Sequence, residues 1–276
     1  MKQLQCVISI LLIALVPMFF IAGYIVLVVM ILLSFNANAF AKERPIIVAV
    51  IDTGIDLNIM KQGRKKGICR FGHKSFAPKL KKKTKKEKYE WAQLKDINGH
   101  GTNISGLIHK YAGKSNYCQV ILKFYKKDSY NNLTAIIRSL KRAIELNVDI
   151  INISGGGLER SDYEKRLIKK ALDMGIFVIT AAGNEMSDSS AKGYYPANYY
   201  NDVIVVGSRY GDKHTRRRSR RLASSNFGKK IDIYEVGFEQ KGSYGKEMTG
   251  TSQATAITTG KFVKYLNHRR KYVQNR

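Results

Sequence analysis

Apolar runs with the length of strands alternate along this chain with stretches whose apolar residues recur at helical spacing. Pro45–Ile51, Val120–Phe124, Ile150–Ile153, Ile176–Thr180 and Val203–Val206 are runs of the first kind. A strand that is apolar along its whole length, rather than at alternate positions, is buried on both faces, as in a parallel sheet. Leu133, Ile136, Ile137, Leu140, Ala143 and Ile144 form one helical stripe, and Tyr163, Leu167, Ile168, Ala171 and Leu172 form another, closed by Gly175 at the usual capping place. This alternation predicts an α/β fold: a parallel sheet with right-handed crossovers and helices on both faces. In such sheets the functional groups gather beyond the C-terminal ends of the strands. Asp52 occupies that place after the first run.

The chain has 276 residues, enough for one domain with a substantial core plus an N-terminal appendage. Residues 6–33 are almost wholly apolar, and Lys2 is the only charge before Lys42. A basic start, a long apolar stretch and Ala37-Asn38-Ala39 beyond it predict a signal peptide over residues 1–41, or a retained membrane anchor, because the stretch is long enough to span a bilayer. Residues 42–276 are then the functional domain, secreted or periplasmic if the signal is cleaved and outside the cytoplasm if it is kept. Cys69 and Cys118 are an even pair in that compartment, and the sequence leaves open whether they are bridged or two buried thiols.

The net charge of +27 is clustered. Lys79–Lys88 holds seven lysines against Glu87, Arg216–Arg221 is nearly all arginine, and the chain closes through His268-Arg269-Arg270-Lys271. These runs predict exposed loops and a polyanionic setting, an envelope polymer or a membrane surface. No nucleic-acid motif accompanies them, so no specific nucleic-acid partner is expected.

Three short segments carry the chemistry. Val48–Ile51 leads into Asp52-Thr53-Gly54; Asn98-Gly99 leads into His100-Gly101-Thr102; Gly250-Thr251 leads into Ser252-Gln253-Ala254. A serine hydroxyl needs a histidine to take its proton and a carboxylate to hold that histidine. The order Asp, His, Ser is one of several in which such triads occur. The flanking residues resemble those of the subtilisin-like serine proteases, the subtilase family, and the likeness runs from about Ile46 to Leu266. It implies a subtilisin-like parallel-sheet sandwich with a single catalytic domain. It implies a serine endopeptidase in which Asp52 orients, His100 is the general base and Ser252 the nucleophile, with no cofactor needed for the chemistry. In Thr180–Glu185, Asn184 matches the family's oxyanion donor. Ser154, Gly155 and Gly156 match the segment that pairs with substrate backbone and forms one wall of the pocket for the side chain preceding the scissile bond (P1). Ala181, Ala182 and Gly183 match the opposite wall.

Several positions depart from the family. Gln253 stands where Met usually follows the nucleophile, and Ala256 replaces a Pro. Tyr194, near the pocket base, should shorten the pocket, while Glu185 at its rim should favour a basic P1 side chain. Only the apolar segment precedes the first strand, so no folded propeptide is expected. Structural calcium is common among relatives, yet no complete ligand set maps onto these residues. The expected partner is a protein or peptide substrate, met by a monomer. The rival reading is a cationic envelope-binding protein on a catalytically degraded protease fold.

Overall fold

The computed structural model describes residues 44–77, 90–125, 132–189, 193–211 and 220–274. The N-terminal segment 1–41, the lysine run 79–88 and the arginine run up to Ser219 lie outside the described residues. Within the unit that begins at Pro45, seven parallel strands form one sheet in the order β2-β3-β1-β4-β5-β6-β7. They are β1 (Ile46–Asp52), β2 (Lys74–Ser75), β3 (Tyr117–Lys123), β4 (Ile150–Ile153), β5 (Phe177–Ala181), β6 (Ile204–Arg209) and β7 (Ile233–Val236). The five apolar runs thus become β1, β3, β4, β5 and β6, with ends shifted by a few residues.

The helices are α1 (Leu57–Gln62), α2 (His100–Ala112), α3 (Asn132–Glu145), α4 (Asp162–Asp173) and α5 (Thr251–Gln274). They lie on both faces of the sheet, which is why the five strand-forming runs are apolar along their length. In β1, Ile47, Ala49 and Ile51 pack with Leu140, Ala143 and Ile168 of α3 and α4. The alternate residues Ile46, Val48 and Val50 pack with Ile104, Leu107 and Ile108 of α2 and Ala254, Ile257 and Val263 of α5. Each fully buried Val or Ile contributes about 1.5–3 kcal/mol, so a register slip in β1 would sacrifice both cores. The start of α4 is fixed by Ser161, whose side chain accepts a hydrogen bond from the Glu164 backbone N–H.

Helices α2 and α5, which begin at His100 and Thr251, start near the C-terminal ends of the strands and run the same way beneath the sheet. They touch closely: a Cβ on Gly260 would come within 2.8 Å of the Ile108 carbonyl. Residues 253–260 of α5 are buried, and its second half emerges at the surface. No helix among the described residues is long and apolar enough to cross a membrane.

Candidate active site

Asp52 ends β1 and is 2% exposed. Its Oδ1 accepts the Thr53 backbone N–H and lies 2.7 Å from Nδ1 of His100. His100 is the first residue of α2, and Gly99, in a left-handed conformation, makes the turn into it. Gly101 has to lack a side chain, because a Cβ there would sit 2.4 Å from the Gly54 carbonyl and 3.1 Å from Asp52 Oδ1. The strand end and the helix start therefore meet backbone to backbone, which is what brings the carboxylate onto the imidazole. Burial alone would lower the His100 pKa; the charge and hydrogen bond of Asp52 outweigh it, Asp96 adds to them, and the net effect is upward.

Asp96 was not evident from the sequence. Its Oδ1 accepts the Thr53 hydroxyl and the N–H groups of Asn98 and Gly99, and its Oδ2 accepts the N–H and hydroxyl of Thr102. The Thr53 hydroxyl in turn accepts the Gly101 N–H at 2.8 Å. One carboxylate thus ties the end of β1 to the first turn of α2, on either side of the Asp52–His100 pair. Burial alone would raise its pKa, but the hydrogen bonds from Thr102, Gly99 and Thr53 hold it below the ordinary value. The only signal in the sequence was an Asp four residues before a His, which on its own reads as a helix cap.

Ser252 is the second residue of α5, and its N–H makes no hydrogen bond among the described residues. Its Oγ donates to the Ser154 carbonyl at 2.7 Å rather than to His100, and Ser154 Oγ donates to the Ser252 carbonyl at 3.1 Å. Asn184 lies beside this helix start. Its Oδ1 accepts both the N–H and the hydroxyl of Thr251, at 3.0 and 3.3 Å. That fixes the amide so that Nδ2, without a partner among the described residues, faces away from Thr251. Two N–H donors, Asn184 Nδ2 and the Ser252 backbone, therefore stand at the positive end of a helix.

Gln253 is buried at 1% exposure, and its Nε2 donates to Asn103 Oδ1 at 3.1 Å. Asn103 also donates to the carbonyls of Gln240 and Lys246. The departure from the family's Met thus becomes a polar tie between α5, which carries Ser252, and α2, which carries His100. Ala256, in place of the usual Pro, is fully buried inside α5.

Ser154, Gly155 and Gly156 follow β4, and the Gly155 and Gly156 backbone groups have no partner among the described residues. Ala181 ends β5, and Ala182 and Gly183 follow it, on the other side. Tyr194 fills the space between: a Cβ on Gly156 would meet its ring at 2.6 Å, and one on Gly183 would meet it at 2.9 Å. Burial, and after it the charge of Glu185, pushes the Tyr194 phenol upward, so it stays neutral. Glu185 Oε2 accepts the Asn226 side-chain amide at 2.7 Å. Asn226, also not singled out in the sequence, is 2% exposed. It donates to the Ala182 carbonyl and accepts the N–H groups of Glu185 and Ser187, so one buried amide shapes the loop that carries Asn184.

Cys69 and Cys118 are bridged, with their Cα atoms 4.9 Å apart. Cys118 lies in β3, and Cys69 donates its N–H to the Gln119 carbonyl beside it. Among the described residues no three His, Cys, Asp or Glu side chains stand together as a metal site, and no calcium site is assigned.

Residues 43–275 match the Subtilase family. An "Intracellular serine protease" of Paenibacillus polymyxa is 33% identical over 180 residues, 60% of this chain and 53% of the relative. "Subtilisin E" of Bacillus subtilis (strain 168) is 30% identical over 234 residues, 77% of this chain and 53% of the relative. The "Major intracellular serine protease" of the same organism is 32% identical over 235 residues, 79% and 67% of the two chains. The chain spans about half the length of the first two of these relatives. Among solved structures, that of a lanthipeptide protease superposes with a TM-score of 0.64 at 19% identity, over 85% of this chain and 78% of that one. A cold adapted subtilisin-like serine proteinase superposes with a TM-score of 0.58 at 23% identity, over 80% and 75%. At these identities the structures speak for the fold, and the match over residues 43–275 for the ancestry: the chain belongs to the subtilase family.

Proposed function

We propose that the chain is a serine endopeptidase that hydrolyses protein or peptide substrates through Asp52, His100 and Ser252. The observation that carries this reading is the 2.7 Å contact between the buried Asp52 carboxylate and His100 Nδ1, within a family whose chemistry it fits. Asp52 holds the tautomer in which Nδ1 carries the proton, leaving Nε2 free to act as base. Ser252 rotates its Oγ from the Ser154 carbonyl to Nε2 and attacks the scissile carbonyl. Its proton passes to His100 and then to the leaving amine. The oxyanion forms between Asn184 Nδ2 and the Ser252 N–H. Water, deprotonated by His100, then cleaves the acyl-enzyme. No cofactor enters these steps.

The Gly155-Gly156 segment just beyond β4, whose backbone groups have no partner among the described residues, supports binding of an extended peptide by strand addition. The Cys69–Cys118 bridge and the apolar residues 6–33 support a secreted or membrane-tethered protein, since disulfides persist outside the reducing cytoplasm. The rival reading of a degraded, envelope-binding fold finds no support in the relatives matched.

The test is a fluorophosphonate probe, which reacts only with an activated serine. Labelling of Ser252 is expected, lost in Ser252→Ala together with casein hydrolysis while the thermal transition persists. A folded wild-type protein that neither labels nor cleaves would end the reading.

A further inference from the structure

The end of the domain opposite the active site is built from the second half of α5, the last turn of α2 and the starts of β1 and β5. Asn267 Oδ1 accepts the Asn116 N–H, beside the point where Ile46 enters the sheet. Arg270 pairs with Asp149, whose other carboxylate oxygen accepts the Ile47 N–H. These contacts place residues 261–274 of α5 at the N-terminal ends of the strands. Arg269 is 17 residues beyond Ser252, or about 25 Å along the helix.

The exposed face here has an unusual composition. Residues 251–274 contain no Asp or Glu. Lys261, Lys264, Tyr265, His268 and Tyr272 recur at spacings of three and four and lie on one outward stripe, flanked by Arg269 and Lys271. Lys261 pairs with Glu235; Lys264, Arg269 and Lys271 have no acidic partner among the described residues. Aromatic rings sit among these cations. Tyr265 is 51% exposed and stacks near Phe262, whose ring lies 4.8 Å from that of Phe177, itself 40% exposed. Lys114, just past the end of α2, adds a further exposed charge. Cations on flexible stems around amphipathic rings match the headgroup region of a bilayer, where the charges meet lipid phosphate and the rings sit at the acyl boundary.

The chain itself points to the same occupant. The described chain enters β1 at this end, at Pro45, and the sequence before it carries the apolar stretch 6–33. We propose that the outer face of α5 seats on an anionic lipid bilayer, so that the strand C-termini, with Asp52, His100 and Ser252, face away from the membrane. The separation of about 25 Å exceeds the screening length of about 8 Å at physiological salt, so docking leaves the triad's electrostatics unchanged. This inference concerns orientation and stands apart from the proposed catalysis.

The test uses the full chain in nanodiscs of neutral phosphatidylcholine and in nanodiscs that also contain phosphatidylglycerol, so that residues 6–33 tether it equally to both. Exposed lysines are acylated and read by mass spectrometry. Lys264 and Lys271 should be labelled several-fold more slowly on the anionic discs, with the protection lost at high salt, while Lys246, beside the start of α2, stays open. Tyr265→Ser with Arg269→Ser keeps both reporters and removes surface contacts only; it should weaken the protection roughly fivefold or more. Equal labelling on both discs overturns the proposal. So does protection of Lys246 with Lys264 left open, or protection by heparin but not by lipid, which would assign a soluble polyanion.

Discussion

Replacing Asp96 by Asn tests whether one carboxylate holds the two halves of the site together. The wild-type side chain accepts five hydrogen bonds, three on Oδ1 and two on Oδ2. An amide keeps the shape but has only one accepting oxygen. With that oxygen in the Oδ1 position, the NH2 group faces the N–H and hydroxyl of Thr102. The hydroxyl can turn; the backbone N–H of buried Thr102 cannot. A hydrogen bond to a charged group is worth about 1.5–3 kcal/mol, and an orphaned buried donor costs about 1–3 kcal/mol. Because Asp96 is only half-buried, the expected loss is about 2–4 kcal/mol, read as a shift in the urea midpoint at constant slope.

The pH dependence separates this account from a general loss of packing. The folded pKa of Asp96 lies below its unfolded value, so its stabilisation is present above about pH 4 and fades as the pH falls through the folded value. The stability gap between wild type and variant should therefore narrow in acid. His100 gives a second readout. Its pKa is raised, partly by Asp96, and catalysis needs the neutral imidazole, so activity falls with pH below an acid limb lying above the ordinary 6.5. Removing the Asp96 charge should move that limb of kcat/KM to lower pH. A variant with the wild-type urea midpoint, or one whose acid limb stays in place, would refute the reasoning.

Three other outcomes are expected. Gln253→Met removes the bond to Asn103 Oδ1 inside the protein and should cost about 1–3 kcal/mol while making activity sensitive to peroxide, which wild type is not at this position; an unchanged melting profile would mean that the tie carries no energy. Cys69→Ser with Cys118→Ser opens a loop of 49 residues and should lower stability by about 4 kcal/mol on loop-closure entropy, and alkylation of unreduced, denatured wild type should modify neither cysteine. Tyr194→Ala should empty the space between Gly156 and Gly183 and raise kcat/KM for large P1 side chains relative to small ones by roughly 10–100-fold, at a cost in stability of about 3–5 kcal/mol; an unaltered P1 preference in a peptide library would show that the ring does not bound the pocket.

By itself, the sequence determined the strands β1, β3, β4, β5 and β6 and the helices α3 and α4, because a strand buried on both faces needs an unbroken apolar run and a helix packed on one face needs a stripe. It also marked Asp52, His100 and Ser252 as candidates, through their order and the resemblance of their flanking residues to the subtilases, and Asn184 through that resemblance alone. The short elements α1, β2 and β7 were silent: β2 is two residues long, and β7 is half-exposed, so neither has room for a periodic signal. Only the tertiary structure decided what depends on residues distant in the chain. It bridged Cys69 with Cys118, which the sequence left open, by setting them side by side on neighbouring segments. It made Asp96, Asn226 and Gln253 parts of the site through hydrogen bonds to residues 43, 44 and 150 positions away. A single polar side chain reads the same at a surface turn as in a buried network, and only the folded chain supplies the donors and acceptors that tell the two apart.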